Sequence, residues 1–163
     1  MLTRTLICSL LFAAVIFSGC SAQNQKITAL TDADQTRLKE QRAVVEQHLR
    51  DEEAQEKYKT SAGKLEAIRT IVQDKIYKPD QTYELQCLGI VLGDAFVQDF
   101  GLEWVMVEDE YGRDPAVRKP DTTLVLYPLT MISKRIERGE QVDVFDLHRR
   151  TAAQVAKFKE KAK

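Results

Sequence analysis

The sequence predicts an α+β fold: N-terminal helices, a central apolar helix, a small antiparallel sheet of two to three strands, and C-terminal helices. Three observations carry that prediction. Residues 81–100 place Leu85, Leu88, Leu92, Phe96 and Phe100 on one helical stripe, widened by Cys87, Ile90, Val91 and Val97. Residues 102–107 and 122–127 are short runs rich in β-branched and aromatic side chains, bounded by turn residues. Polar stretches with helical apolar spacing lie on both sides of this block.

Composition narrows the setting. A chain of 163 residues suits one domain with short extensions, and its 44% hydrophobic content can supply a core. The 24 basic and 25 acidic residues nearly cancel, which gives no whole-chain bias towards nucleic acid.

Residues 1–19 read as a lipoprotein signal peptide. Arg4 gives a basic start, residues 6–17 are apolar apart from Cys8 and Ser9, and Ser18-Gly19-Cys20 supplies small residues for processing. Phe17-Ser18-Gly19-Cys20 resembles the bacterial lipobox, although Leu is usual where Phe17 stands. The resemblance implies acylation of Cys20 and a protein that sits on a membrane without spanning it. By the same resemblance, Ser21 in place of Asp favours the outer membrane over the inner, with the domain facing the periplasm. Processing would leave Cys87 as the single thiol, and its apolar helical setting predicts a buried, inert one.

The rest is read in order. Residues 20–31 are a short polar tether from lipid to domain. Residues 32–60 are one long polar helix, capped by Thr31 and marked sparsely by Leu38, Val45, Leu49 and Tyr58. Residues 61–163 form the α+β domain. Its first helix carries Leu65, Ile68, Ile71 and Ile76 and ends at Lys78-Pro79. The central helix holds Gly89 and Gly93 on one face, a spacing that predicts close approach of a strand or helix; Gly101 suits its C-cap. Residues 102–107 form a strand ending at an acidic turn, residues 116–118 a short strand, and residues 122–127 another strand. Pro128 opens a helix bearing Leu129, Ile132 and Ile136, and Asp143 caps the last one, with Val144, Leu147, Thr151, Val155 and Phe158 at helical spacing.

Four motifs then occur in order: Leu88-Gly89-Ile90-Val91-Leu92-Gly93-Asp94; Gly101-Leu102-Glu103-Trp104-Val105; Glu108 through Pro115; and Tyr127-Pro128-Leu129 with Ile132-Ser133-Lys134-Arg135-Ile136-Glu137. Together they resemble the bacterial family known as domain of unknown function 3806. The resemblance covers residues 83–147 and leaves the helical N-terminal part outside. It implies a small domain with no assigned activity, ligand or partner, so no functional residue is carried over from it.

Candidate chemistry concentrates at residues 101–114. Glu103, Glu108, Asp109, Glu110 and Asp114 are the densest carboxylate group, beside Trp104, Tyr111 and Arg113. Two carboxylates could act as acid and base on a sugar. A calcium loop needs alternating oxygens around a central Gly, which Asp109-Glu110-Tyr111-Gly112 does not match, so no metal site is predicted. The plainer reading is a solvated hairpin turn whose acids pair with Arg113, Arg118 or Lys134, with Trp104 in the core. Ser133 and His148 form no recognisable nucleophile motif, His48 reads as exposed, and no spacing predicts a catalytic residue or a cofactor. The expected function is a non-enzymatic envelope lipoprotein that binds another envelope protein or a cell-wall component. The alternatives are a cell-wall hydrolase using carboxylates in residues 103–114, or an immunity or inhibitor protein.

Overall fold

The structure is a computed structural model that describes residues 25–161. The expected signal peptide, Cys20 and the first half of the expected tether lie outside the described residues. Within them the chain is α+β: six α-helices, one 3-10 turn and a four-stranded antiparallel sheet in the order β1-β2-β3-β4. No described helix is long and apolar enough to cross a membrane.

The central helix α4 (Thr82–Phe100) is the frame. Leu85, Cys87, Leu88, Ile90, Val91, Leu92, Ala95 and Phe96 are all buried in it, and Gly101 ends it in the left-handed conformation at φ 61°. Gly89 and Gly93 do admit a close approach. A Cβ on Gly89 would lie 2.4 Å from the Leu129 carbonyl oxygen, and one on Gly93 would lie 2.4 Å from the Trp104 ring. The partner over Gly89 is thus the bare backbone of a short 3-10 turn (Pro128–Thr130), neither strand nor full helix.

That seating explains a difference from expectation. The helix expected from Pro128 onwards is split into this turn and a separate α5 (Ser133–Glu137). The Pro128 and Leu129 carbonyls lie against Gly89, and Met131 N–H closes only an i+3 bond, to Pro128 O at 3.0 Å.

Upstream, the single helix expected over residues 32–60 is two helices, α1 (Asp32–Glu46) and α2 (Glu52–Tyr58). Asp51 takes an extended conformation and its Oδ1 accepts from Ala54 N–H at 2.8 Å, which starts a new helix. Thr31 caps α1 as expected, in a full capping box with Asp34. Helix α3 (Ser61–Gln73) stops before the expected Lys78-Pro79. Lys75 takes φ 51°, and Ile76 N–H bonds back to Ile71 O at 3.1 Å, so the helix closes on a left-handed lysine that no glycine signals.

The sheet also departs from the two or three strands expected. Residues 26–29, read as tether, form β1 (Lys26–Ala29), which pairs antiparallel with β2 (Glu103–Asp109) from Lys26 opposite Glu108 to Ala29 opposite Val105. β3 (Gly112–Arg118) is longer than expected and runs through Pro115. Its outer neighbour β4 (Val125–Leu126) pairs only with Val117 and Arg118, so no further strand needs a donor at Pro115. β4 itself is short because residues 119–124 are taken up by a turn, in which Lys119 N–H bonds Leu124 O and Asp121 adopts φ 60°.

The main core joins Val45, Leu65, Ile68, Ile71, Phe96, Val117 and Ile132 around α4. A second cluster, Val105, Val107 and Ala116, occupies the other sheet face with Val125 and Tyr127 against it. The last helix, α6 (Val144–Lys161), buries Val144, Thr151 and Val155, and Asp143 Oδ1 accepts from Asp146 N–H at its start.

The close approach at α4 makes a defined prediction. Gly89→Ala gains about 1 kcal/mol of helix propensity but drives a methyl group into two carbonyl oxygens that cannot move independently. Overpacking of this kind costs about 1–3 kcal/mol or more, so urea unfolding should show a net loss of stability. A variant as stable as the parent would show that the 128–129 turn yields freely.

Candidate functional site

The structure disperses the acidic group of residues 103–114. Strand alternation sends Glu103 and Asp109 to one sheet face and Glu108 to the other. Glu103 is held by Arg118 Nε at 2.7 Å. Asp109 accepts from Tyr111 N–H at 2.9 Å within its own turn, and from Gln25 Nε2 at 3.4 Å. Glu108 stands directly across from Arg113, while Asp114 is exposed opposite Val107. Tyr111, at the tip, is 81% exposed. These side chains do not converge on a concavity.

Arg113 does not close the acidic turn. Its guanidinium makes a bidentate pair with Asp34 in the first turn of α1, Nη1–Oδ1 and Nη2–Oδ2 both 2.6 Å. Asp34 is 5% exposed and also accepts from the Thr31 backbone N–H at 2.9 Å and hydroxyl at 2.7 Å. The Arg113 guanidinium first, then the Thr31 donors, hold its carboxyl far below the usual carboxylate range. Trp104 is half-buried on the face towards α4. Its Nε1–H donates to Asp94 Oδ1 at 2.9 Å, and the same carboxylate takes Arg42 through Nε at 2.6 Å and Nη2 at 2.7 Å. Trp104 is therefore a core residue with one polar tie, and of the other residues of the expected binding surface Glu103, Asp109 and Arg113 are engaged in hydrogen bonds or ion pairs within the fold.

Cys87 is fully buried, and burial pushes its thiol up to about 11, as an inert side chain requires. Ser133 is buried, and His148 Nε2 sits 2.9 Å from Asp99 Oδ2, with its ring against those of Phe96 and Phe100. Among the described residues, no three His, Cys, Asp or Glu side chains are grouped as a metal ion would need.

The concave feature lies elsewhere, where the end of α1 meets α2 and α3. This cleft of about 900 Å³ has Val45, Ala67 and Ile71 in its floor and Ile76 at its mouth. Arg50, Asp51, Lys57, Glu66 and Asp74 add charge of both signs. His48, expected in solvent, is half-buried beside Leu49 on the cleft wall. His48 Nε2 is 2.7 Å from Tyr77 Oη, and Tyr77 O–H donates to Val44 O at 3.0 Å. The Tyr77 hydroxyl thus joins the His48 ring to the α1 backbone.

Two local devices build the far wall. Gly63 lets α3 press on α2, since a Cβ there would lie 1.9 Å from Lys57 O. Lys64 Nζ then donates to Tyr58 O at 2.9 Å and lies 5.1 Å from that ring's centre; burial pushes its amine below the ordinary lysine value. The sequence interruption at residues 60–63 signalled the bend but not the cleft it encloses.

A model of the family described as Domain of unknown function (DUF3806) matches residues 64–148, just over half of the chain. The chain belongs to this family. The family region begins at Lys64, so it takes in most of α3, which the sequence reading left outside. It contains Gly89, Gly93, Asp94 and Trp104, whereas Asp34 and Arg42 precede it. The cleft straddles this boundary, with its α3 side inside the family region and its α1–α2 wall outside. No curated protein matches the chain. A similar solved structure is a crystal structure from Bacteroides thetaiotaomicron VPI-5482 at 1.50 Å resolution. Its TM-score is 0.62 and its identity 14%, over 78% of this chain and 47% of that one. The chain thus spans just under half of that protein's length, and at this identity the likeness concerns the fold alone.

The Asp34–Arg113 pair gives a pH signature. A carboxyl held below its unfolded value of about 4 contributes stability that is complete above that pH and declines as pH falls towards the folded value. The stability gap between the parent and Asp34→Asn, measured by urea unfolding, should be constant from neutral pH down to about 5 and shrink below about 4. A gap independent of pH across that range would mean that the pair does not form.

Proposed function

We propose that this chain is a bacterial envelope lipoprotein whose folded domain is a non-enzymatic binding module, with the α1–α3 cleft as its receptor surface. The cleft carries the reading. It has an apolar floor, a rim of mixed charge, and in Ile76 a large apolar side chain left 39% exposed at the mouth. These are the features by which a groove between helices takes the apolar face of a short amphipathic segment while polar flanks fix its register. The occupant is accordingly a segment of another envelope protein. The carboxylates of residues 103–114 favour this class over a hydrolase, because Glu103 is held by Arg118 and the adjacent Glu108 and Asp109 point to opposite sheet faces.

Membrane attachment rests on the lipobox-like Phe17-Ser18-Gly19-Cys20. Acyl chains on Cys20 would tether the domain, and outer-membrane placement follows from Ser21 by resemblance. Palmitate labelling of cells expressing the full chain should mark the parent and leave Cys20→Ser unmarked; equal labelling of both would remove the lipoprotein part of the reading.

A photo-crosslinking residue at Ala54, within the cleft, should capture a discrete envelope protein, and Ile76→Asp should abolish that capture with the unfolding midpoint preserved. The same residue placed at exposed Thr123, which does not line the cleft, is the comparison. Equal capture from both positions, or capture insensitive to Ile76→Asp, would sink the cleft as the binding surface.

A further inference from the structure

We infer that the β2–β3 hairpin tip, led by Tyr111, is the surface that this domain lays against the bilayer. The partner is a zwitterionic phospholipid surface; the inference rests on the lipoprotein reading and adds an orientation to it.

The first argument is the reach of the chain. β1 starts at Lys26, directly opposite Glu108, one residue before the end of β2. Gln25 reaches Asp109 with its side chain, so the described chain begins at the hairpin tip. Five peptide steps join Cys20 to Gln25, and five residues can span at most about 18 Å by any path. An acylated Cys20 therefore keeps the tip within that distance of the lipid headgroups. Had residues 26–29 been the loose tether that their composition suggests, the leash would have been about twice as long and would have fixed no orientation. The pairing of β1 with β2 shortens it.

The second argument is the chemistry of the tip. Tyr111 is 81% exposed, the most exposed large apolar side chain among the described residues. Its backbone N–H is held by Asp109 Oδ1, so the ring is presented from a closed turn. A tyrosine with an apolar ring and a polar hydroxyl is suited to the headgroup layer. Asp109 and Asp114 flank it in the hairpin and Glu108 stands opposite Lys26 in the neighbouring strand; with Arg113 committed to Asp34, these carboxylates outnumber Lys26. Such a rim is repelled by an anionic surface, and it holds the tip at headgroup depth without insertion. This is why the partner is a zwitterionic bilayer.

The strands set the other end. β3 extends for about 20 Å from Gly112 to Arg118, and the 119–124 turn lies beyond it. That turn is anchored to the end of α4, where Lys119 Nζ donates to the Phe100 and Gly101 carbonyls. The cleft is separated from the Asp34–Arg113 pair by the length of α1, about 20 Å, and so stands clear of the tip.

The test uses the full lipidated chain in phosphatidylethanolamine–phosphatidylcholine vesicles carrying a headgroup nitroxide. A fluorophore is attached at Tyr111→Cys or, keeping the tyrosine, at Asp114→Cys, and for comparison at Thr123→Cys. Cys87 is buried and the Cys20 sulfur is acylated, so labelling is confined to the new thiol; Trp104 emission checks that each variant is folded. The expected result is flotation with the vesicles and several-fold stronger quenching at 111 and 114 than at 123. Flotation with quenching at 123 equal to or stronger than at the tip overturns the orientation while leaving the lipid anchor intact. Failure to float overturns the anchor itself, and the orientation with it.

Discussion

The fold depends on one helix face. At Gly89 and Gly93 α4 carries no side chain, and the chain uses the space twice: the 128–129 backbone lies on the first glycine and the Trp104 ring on the second. One residue further, Asp94 gathers three donors from two other elements, Arg42 on α1 and Trp104 on β2. The interhelical tie and the sheet-to-helix tie thus share a single carboxylate. Each half of the arrangement needs the other. Without the close approach the Trp104 ring could not reach Asp94, and without Arg42 the partly buried carboxylate would be left with a single neutral donor, the indole N–H.

This constraint settles what the charges near the hairpin do. Carboxylates that look like a reactive group in one dimension are divided by the pleat, and the best-placed cation among them is taken by the start of α1. What remains at the tip is an exposed tyrosine in an acidic turn. The concavity forms where helices of unequal length fail to fill the space between them. Asp51 and Thr60 bound α2 closely, and Gly63 presses it on α3, so α2 stands as a wall with room beside it. Hairpin and cleft thereby fall at different places on one scaffold.

Much of the fold is legible from residues alone. The stripe through Leu85, Leu88, Leu92 and Phe96, the Gly101 cap, the Thr31 cap and the close approach implied by Gly89 and Gly93 are local properties of helices, and each appears as expected. The misses share a cause. Residues 26–29 carry too little pattern to announce a strand, because an edge strand's stability comes from a partner far along the chain, from Ala29 opposite Val105 to Lys26 opposite Glu108. The break before Asp51 and the left-handed Lys75 depend on caps with several equally acceptable positions. The Arg113–Asp34 pair joins residues from β3 and α1 that no local rule relates.

By itself the sequence determined the α+β class, the central helix and the buried setting of Cys87, since helical periodicity and capping are set within a few residues. Tertiary structure alone decided which carboxylates are occupied, that residues 26–29 belong to the sheet, and that the concave surface lies among α1, α2 and α3. The physical reason is that pairing, burial and concavity are properties of surfaces brought together from distant parts of the chain. Spacing along one segment carries no information about them.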